Sequence, residues 1–126
     1  MAQALVICDL IIDDINTRKK SLVGIFSVIR AKSFPVQHPA MTVFASLTNG
    51  NGEVPVVLRC VRIADEHEVL SVAGAVRFPD PNQVIDLVFN LNGVPFEQPG
   101  LYSFELLSDG NILLEKRFSV IELPKQ

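Results

Sequence analysis

Along most of the chain apolar and polar residues alternate with a period of two, the spacing that sends successive side chains to opposite faces of a strand. The alternation is clearest where Ile85, Leu87, Phe89 and Leu91 interleave with Val84, Asp86, Val88 and Asn90. Near the C-terminus Tyr102, Phe104 and Leu106 share a phase against Ser103 and Glu105. Leu114, Phe118 and Val120 then share one against Glu115, Arg117 and Ser119. These patterns predict strands over residues 101–107 and 112–120, hinged at 108–111. Lys116 falls on the inward phase, which predicts a place near a sheet edge with its ammonium reaching water.

The remaining runs fit the same scheme less cleanly. Val6, Cys8, Leu10 and Ile12 are expected to face inward against Asp9 and Asp13. Leu22, Phe26 and Val28 form another apolar phase, with Gly24 at a bulge or close approach. Leu70, Val72, Val76 and Phe78 supply a further one. Residues 41–48 and 54–64 are strand-like but undecided in phase, since Val56, Leu58 and Cys60 compete with Val57, Val61 and Ile63 for the core. Turn chemistry separates the runs at 14–20, 35–39, 49–52, 65–68, 79–82, 92–100 and 108–111, where Gly and Asn supply positive φ and Pro interrupts ladders. The expectation is an all-β chain: one domain over 1–126, an antiparallel β-sandwich of about eight strands, immunoglobulin-like or jelly-roll-like.

Composition changes this picture only by exclusion. A chain of 126 residues that is 48% hydrophobic can bury a sizeable core. Its net charge of -3 argues against a nucleic-acid partner, which needs a basic surface to release phosphate counterions. No run approaches the ~18–20 apolar residues of a membrane span. The opening "MAQALVICDLIIDD" has no basic start, and Cys8 and Cys60 read as buried reduced thiols. A cytoplasmic protein is expected.

"Pro-Gly-Leu-Tyr-Ser-Phe" at 99–104 resembles the last two strands of immunoglobulin-like sandwiches. That resemblance implies a tyrosine-corner role for Tyr102 and puts Phe104 where antibody-type domains carry their second cysteine. The chain departs from the pattern in having no tryptophan and no suitably spaced cysteine pair. Residues 4–50, with Asp13-Asp14, "Leu-Val-Gly-Ile-Phe" at 22–26 and Phe34-Pro35, resemble the opening of a family of small uncharacterised bacterial β-sandwich proteins. The resemblance implies a bacterial cytoplasmic sandwich and carries over no catalytic or binding residue.

Candidate chemistry is sparse. Asp65, Glu66, His67 and Glu68 are weak candidates for a metal site, offering oxygen and nitrogen ligands in one loop. Because they are adjacent in a hairpin and point apart, a solvated turn is the stronger expectation. Asp13, Asp14 and Asn16 could line a calcium loop, but Arg18, Lys19 and Lys20 follow at once and oppose a cation. Apolar strands raise the pKa of Cys8 and Cys60, Ser27 and Ser103 lack an elbow motif, and His38 reads as a loop residue. The Asn-Gly repeat at 49–52 lacks the Lys and helix of a phosphate cradle. Asp86 and Glu105 would serve glycoside chemistry only if within about 10 Å of each other. No catalytic residue and no cofactor are expected. The leading expectation is a non-catalytic protein-interaction or structural module, acting through Val84, Val88 and Phe44 on an unknown protein partner or on itself. The alternative is a small-ligand or metal-binding sandwich using loops at one end.

Overall fold

The computed structural model describes residues 1–124, and these form strands joined by turns, with no helix. In chain order the strands are β1 (Ala2–Asp13), β2 (Lys20–Ile25), β3 (Val28–Ala31), β4 (Val36–Leu47), β5 (Gly52–Arg62), β6 (His67–Phe78), β7 (Ile85–Phe96), β8 (Gly100–Ser108) and β9 (Asn111–Glu122). They build a four-stranded sheet, ordered β2-β1-β4-β7, and a five-stranded sheet, ordered β3-β9-β8-β5-β6. The two sheets curl together as a sandwich of immunoglobulin-like or jelly-roll-like kind.

Two expectations about the strands need correcting. The run at 22–28 is two strands rather than one, and the second of them pairs parallel to β9. The handover is visible in the backbone. Phe26 N still donates to Ile7 O of β1 at 3.1 Å, while the carbonyl of Ser27 already accepts from Ser119 N of β9 at 2.9 Å. The chain therefore changes sheets across one peptide unit. Residues 35–39 and 92–100 are also more ordered than turns, because β4 begins at Val36 and β7 runs to Phe96. Proline survives in both strands for lack of a neighbour. β1 pairs with β4 only as far as Thr42, short of Pro39, and β7 with its Pro95 is an edge strand.

The core lies between the inner faces. Leu87 and Leu91 of β7, with Val43 and Leu47 of β4, meet Val56 and Leu58 of β5 and Phe104 and Leu106 of β8. The undecided phase of β5 is thus settled for Val56, Leu58 and Cys60, and Val57 and Val61 stay half-buried on the other side. β1 has the reverse phase to the expected one. Leu5 and Ile7 enter the core, whereas Leu10 and Ile12 are exposed. The segment is apolar on both phases, so alternation could not choose, and Asp9 misdirected the choice by sitting on the inner phase against Gly24.

An aromatic cluster joins the sheets at one end. Phe96 of β7 meets Tyr102 of β8 edge-on at 5.0 Å between centroids and Phe118 of β9 at 5.9 Å. Phe104 stacks on Phe118 at 5.2 Å, filling the place where antibody-type domains carry a cysteine. The Tyr102 hydroxyl donates to Gln98 O at 2.6 Å, which is the tyrosine corner the hairpin implied. The hairpin itself turns on Asp109 at φ 51° and Gly110 at φ 78°, the paired positive values of a two-residue primed turn. Lys116 is half-buried, on the part of β9 that precedes its pairing with β3 and so has a free edge.

Candidate functional site

The strand registers set out the solvent face of the four-stranded sheet residue by residue. Val6 of β1 pairs with Phe44 of β4, and Phe44 with Val88 of β7, so these three form one apolar row across the sheet. The next row holds Ile25, Cys8, Thr42 and Asn90. Beyond it Leu10 pairs with Val23. Leu10 is 46% exposed, Val23 41% and Ile25 66%, so this flank is open, whereas Cys8 and Thr42 in the middle row are buried. Asp86, paired with Ser46, is the one charged side chain in the paired rows of this face.

The solvent face of the five-stranded sheet is mixed, with paired charges beside Val57 and Val61. Arg59 Nε and Nη2 both donate to Glu105 Oε1, at 2.9 and 2.6 Å. Glu115 lies beside Glu105, and Arg117 beside Ser103. Paired charges keep a face hydrated, whereas charge depletion with an aromatic and aliphatic centre is the compositional mark of an interface core. The asymmetry between the two faces distinguishes the Phe44 side.

Of the residues singled out in the sequence, Phe44 and Val88 are brought together as direct cross-strand partners, with Phe44 half-buried and Val88 exposed. Val84 is exposed but precedes β7 and lies outside the paired rows. Val6, Leu10, Val23 and Ile25 belong to the same face, and sequence reasoning misses them there. Alternation sends Val6 and Leu10 to the core and merges residues 22–28 into one strand. A signal exists in the unusual apolar content of both phases of β1, which leaves one apolar set outside whichever phase wins.

The loop at 65–68 is organised around the guanidinium of an arginine. Arg62, on the inward phase of β5 and nearly buried, donates from Nε to Asp65 Oδ1 at 2.9 Å and from Nη2 to Asp65 Oδ2 at 2.6 Å. Glu97 approaches the same guanidinium at 3.9 Å. The Asp65 oxygens are thereby occupied, and the His67 amide adds a further bond to Oδ1 at 3.3 Å. Glu66, His67 and Glu68 are exposed, and among the described residues no three His, Cys, Asp or Glu side chains converge. The Arg62 guanidinium lowers the Asp65 pKa from 3.8 to about 2. A depressed carboxylate pKa stabilises the fold above the ordinary value, and that contribution is lost as pH falls through the folded one. Asp65→Asn should therefore lower the urea midpoint at pH 7 and flatten its fall between pH 4 and 2. An acid limb with the same slope in both proteins would assign that limb to other carboxylates.

The other candidates have structural roles. Asp14 Oδ1 accepts from the amides of Asn16 at 2.8 Å and Thr17 at 3.2 Å, closing the 14–20 turn, while Lys20 pairs with Asp13 at 2.8 Å. Backbone donation lowers the Asp14 pKa. Cys8 and Cys60 are free and buried. Burial raises the Cys8 pKa and pushes that of Cys60 up to about 12, well away from a reactive thiolate. Asp86 and Glu105 lie on the outer faces of different sheets, so the sandwich separates them. The His38 ring packs near Phe26, 6.0 Å between centroids, and the Ser103 hydroxyl donates to Phe104 O at 3.3 Å. Every buried side-chain nitrogen and oxygen among the described residues has a protein partner.

A family model described as a family of unknown function (DUF6941) matches residues 3–121. No curated protein matches the chain.

Proposed function

The chain belongs to that family of unknown function, DUF6941, and from this premise we propose that it is a non-catalytic interaction module whose docking face is the outer side of the four-stranded sheet. The observation that carries the reading is the row Val6–Phe44–Val88 with its exposed flank of Leu10, Val23 and Ile25. A rigid sheet holds these side chains without further ordering, so burying them under a partner has little entropic cost on this side. The fitting partner is a protein surface that is itself apolar and weakly charged, since a strongly charged one would lose solvation against this face without compensation. The two buried free thiols fit a reducing compartment, which supports a cytoplasmic setting.

The test is affinity capture from the source cell followed by calorimetry on the purified pair. Val88→Lys/Val23→Lys, both at exposed positions, should weaken binding at least tenfold while leaving the thermal midpoint nearly unchanged. Wild-type binding should show the negative heat-capacity change of apolar burial. Equal affinity in wild type and variant would remove this face from consideration.

A further inference from the structure

Each sheet ends in two edge strands, β2 and β7 in one and β3 and β6 in the other. A free edge presents unpaired amides and carbonyls, and folded chains ordinarily blunt it with charge, proline, a bulge or brevity. Two of the four edges are blunted along their length, and β7 is blunted at its ends. β2 has six residues, opens with Lys20 and bends at Gly24, whose φ is 71°. β3 has four residues and exposes Arg30. β7 carries Asp86 and Pro95 and turns at Gly93, φ 62°. The free half of β9 is guarded too, by Glu115, Lys116 and Arg117.

β6 differs in having small side chains at its centre and no positive-φ turn within the run. It has twelve residues, and from Val69 to Val76 it contains neither a charge nor a proline. Ser71, Val72, Ala73, Gly74 and Ala75 are all exposed. The ladder with β5 is regular from Phe78 back to Leu70, and its one irregularity lies beyond, where Cys60 pairs with Leu70 but Val61 with Glu68. That step bulges Val69 out of the ladder and turns Glu68 to the solvent face, level with Val61.

We propose that β6 is a self-association edge: two copies of this chain pair β6 to β6 antiparallel about a two-fold axis at Ala73, making one continuous sheet. The register follows from the strand's own sequence. On the solvent face the β6 residues level with Val61, Arg59, Val57, Pro55 and Glu53 are Glu68, Ser71, Ala73, Ala75 and Arg77. A two-fold at Ala73 sets Ser71 opposite Ala75 of the second copy and Glu68 opposite Arg77, each twice. On the inner face it sets Val72 opposite Gly74 and Leu70 opposite Val76. The bulge is what brings Glu68 into register with Arg77. Among the described residues neither is in an ion pair within one copy. Opposite charges directly across an antiparallel pair are favourable, so the ends of the strand favour this alignment over slipped ones, which forfeit both pairs. Backbone hydrogen bonds supply the affinity, and the small side chains at the centre let the strands meet without clash. The chain is then bivalent, with the Phe44 face of each copy left free.

The experiment is sedimentation equilibrium across a wide concentration range with wild type and four variants. Wild type should move from the monomer mass of 13.9 kDa to twice that value. Ala73→Asp, which sets two carboxylates face to face on the axis, should leave only monomer. Glu68→Arg and Arg77→Glu should each raise the dimer dissociation constant about tenfold, and Glu68→Arg/Arg77→Glu should restore it. The substituted positions are all exposed, and a thermal midpoint for Ala73→Asp equal to that of wild type, measured at a concentration where wild type is monomeric, will show that it folds. A wild type that stays monomeric to millimolar concentration overturns the proposal. So does a dimer indifferent to Ala73→Asp, which would assign association to another surface. Failure of the double variant to recover would overturn the register about Ala73.

Discussion

Phe96→Ala should destabilise the protein by about 3–5 kcal/mol, the range for deleting a fully buried aromatic ring. Phe96 has no exposed surface and is the member of the aromatic cluster contributed by the four-stranded sheet. Its partners Tyr102 and Phe118, and Phe104 stacked on Phe118, all come from the other sheet. Removing it opens a void at the joint between the sheets, where neighbours on rigid strands can collapse only partly. Domains are stable by roughly 5–15 kcal/mol, so this one ring carries a large share. Tyr102→Phe is the contrasting variant: it keeps the ring and loses the hydroxyl's bond to Gln98 O and its interaction with the Arg62 side chain, at about 1 kcal/mol for a hydrogen bond. Urea unfolding will separate them, with a lowered midpoint and an unchanged slope expected for both. Equal losses for the two variants would mean that the corner bond, and not ring packing, holds this end together.

That cluster is only half legible in the sequence. Tyr102, Phe104 and Phe118 lie in strands with one apolar and one polar phase, where alternation assigns faces directly. Phe96 follows Pro95 in a segment rich in Asn, Gly and Pro, the composition of a loop. It is a strand because an edge position tolerates proline, and edge positions are a property of sheet order, which local sequence does not encode. The same limit governs the candidate surfaces. Phe44 and Val88 can be picked out because each stands on the phase opposite a recognisable apolar set. Val6, Leu10, Val23 and Ile25 cannot, because β1 is apolar on both faces and β2 is too short for its period to register. Arg62 is invisible for a third reason. Its partner Asp65 is near in sequence, but its inward direction depends on which phase of β5 wins, and the winning phase is fixed by pairing with β6 and β8.

Gly50→Ala should cost about 1–3 kcal/mol, the usual penalty for forcing an extra carbon into a packed core. The turn at 49–52 reads in sequence as a flexible Asn-Gly repeat, yet Gly50 is buried. Its backbone is not in the left-handed region, so alanine is conformationally acceptable there; the obstacle is space. A Cβ at position 50 would fall against the ring carbons of Phe78. Phe78 is 3% exposed at the end of β6, across from Gly52, and its ring cannot move aside without opening the core. The two residues should therefore be coupled. Phe78→Leu, which shortens the obstructing side chain, should cost less in the Gly50→Ala background than beside the native glycine, with non-additivity of about 1 kcal/mol or more. Additive losses would show that the ring relaxes independently of position 50. A neutral Gly50→Ala would reduce the glycine to a turn residue, and the tight seating of the β6 terminus would then have to rest on Phe78 alone.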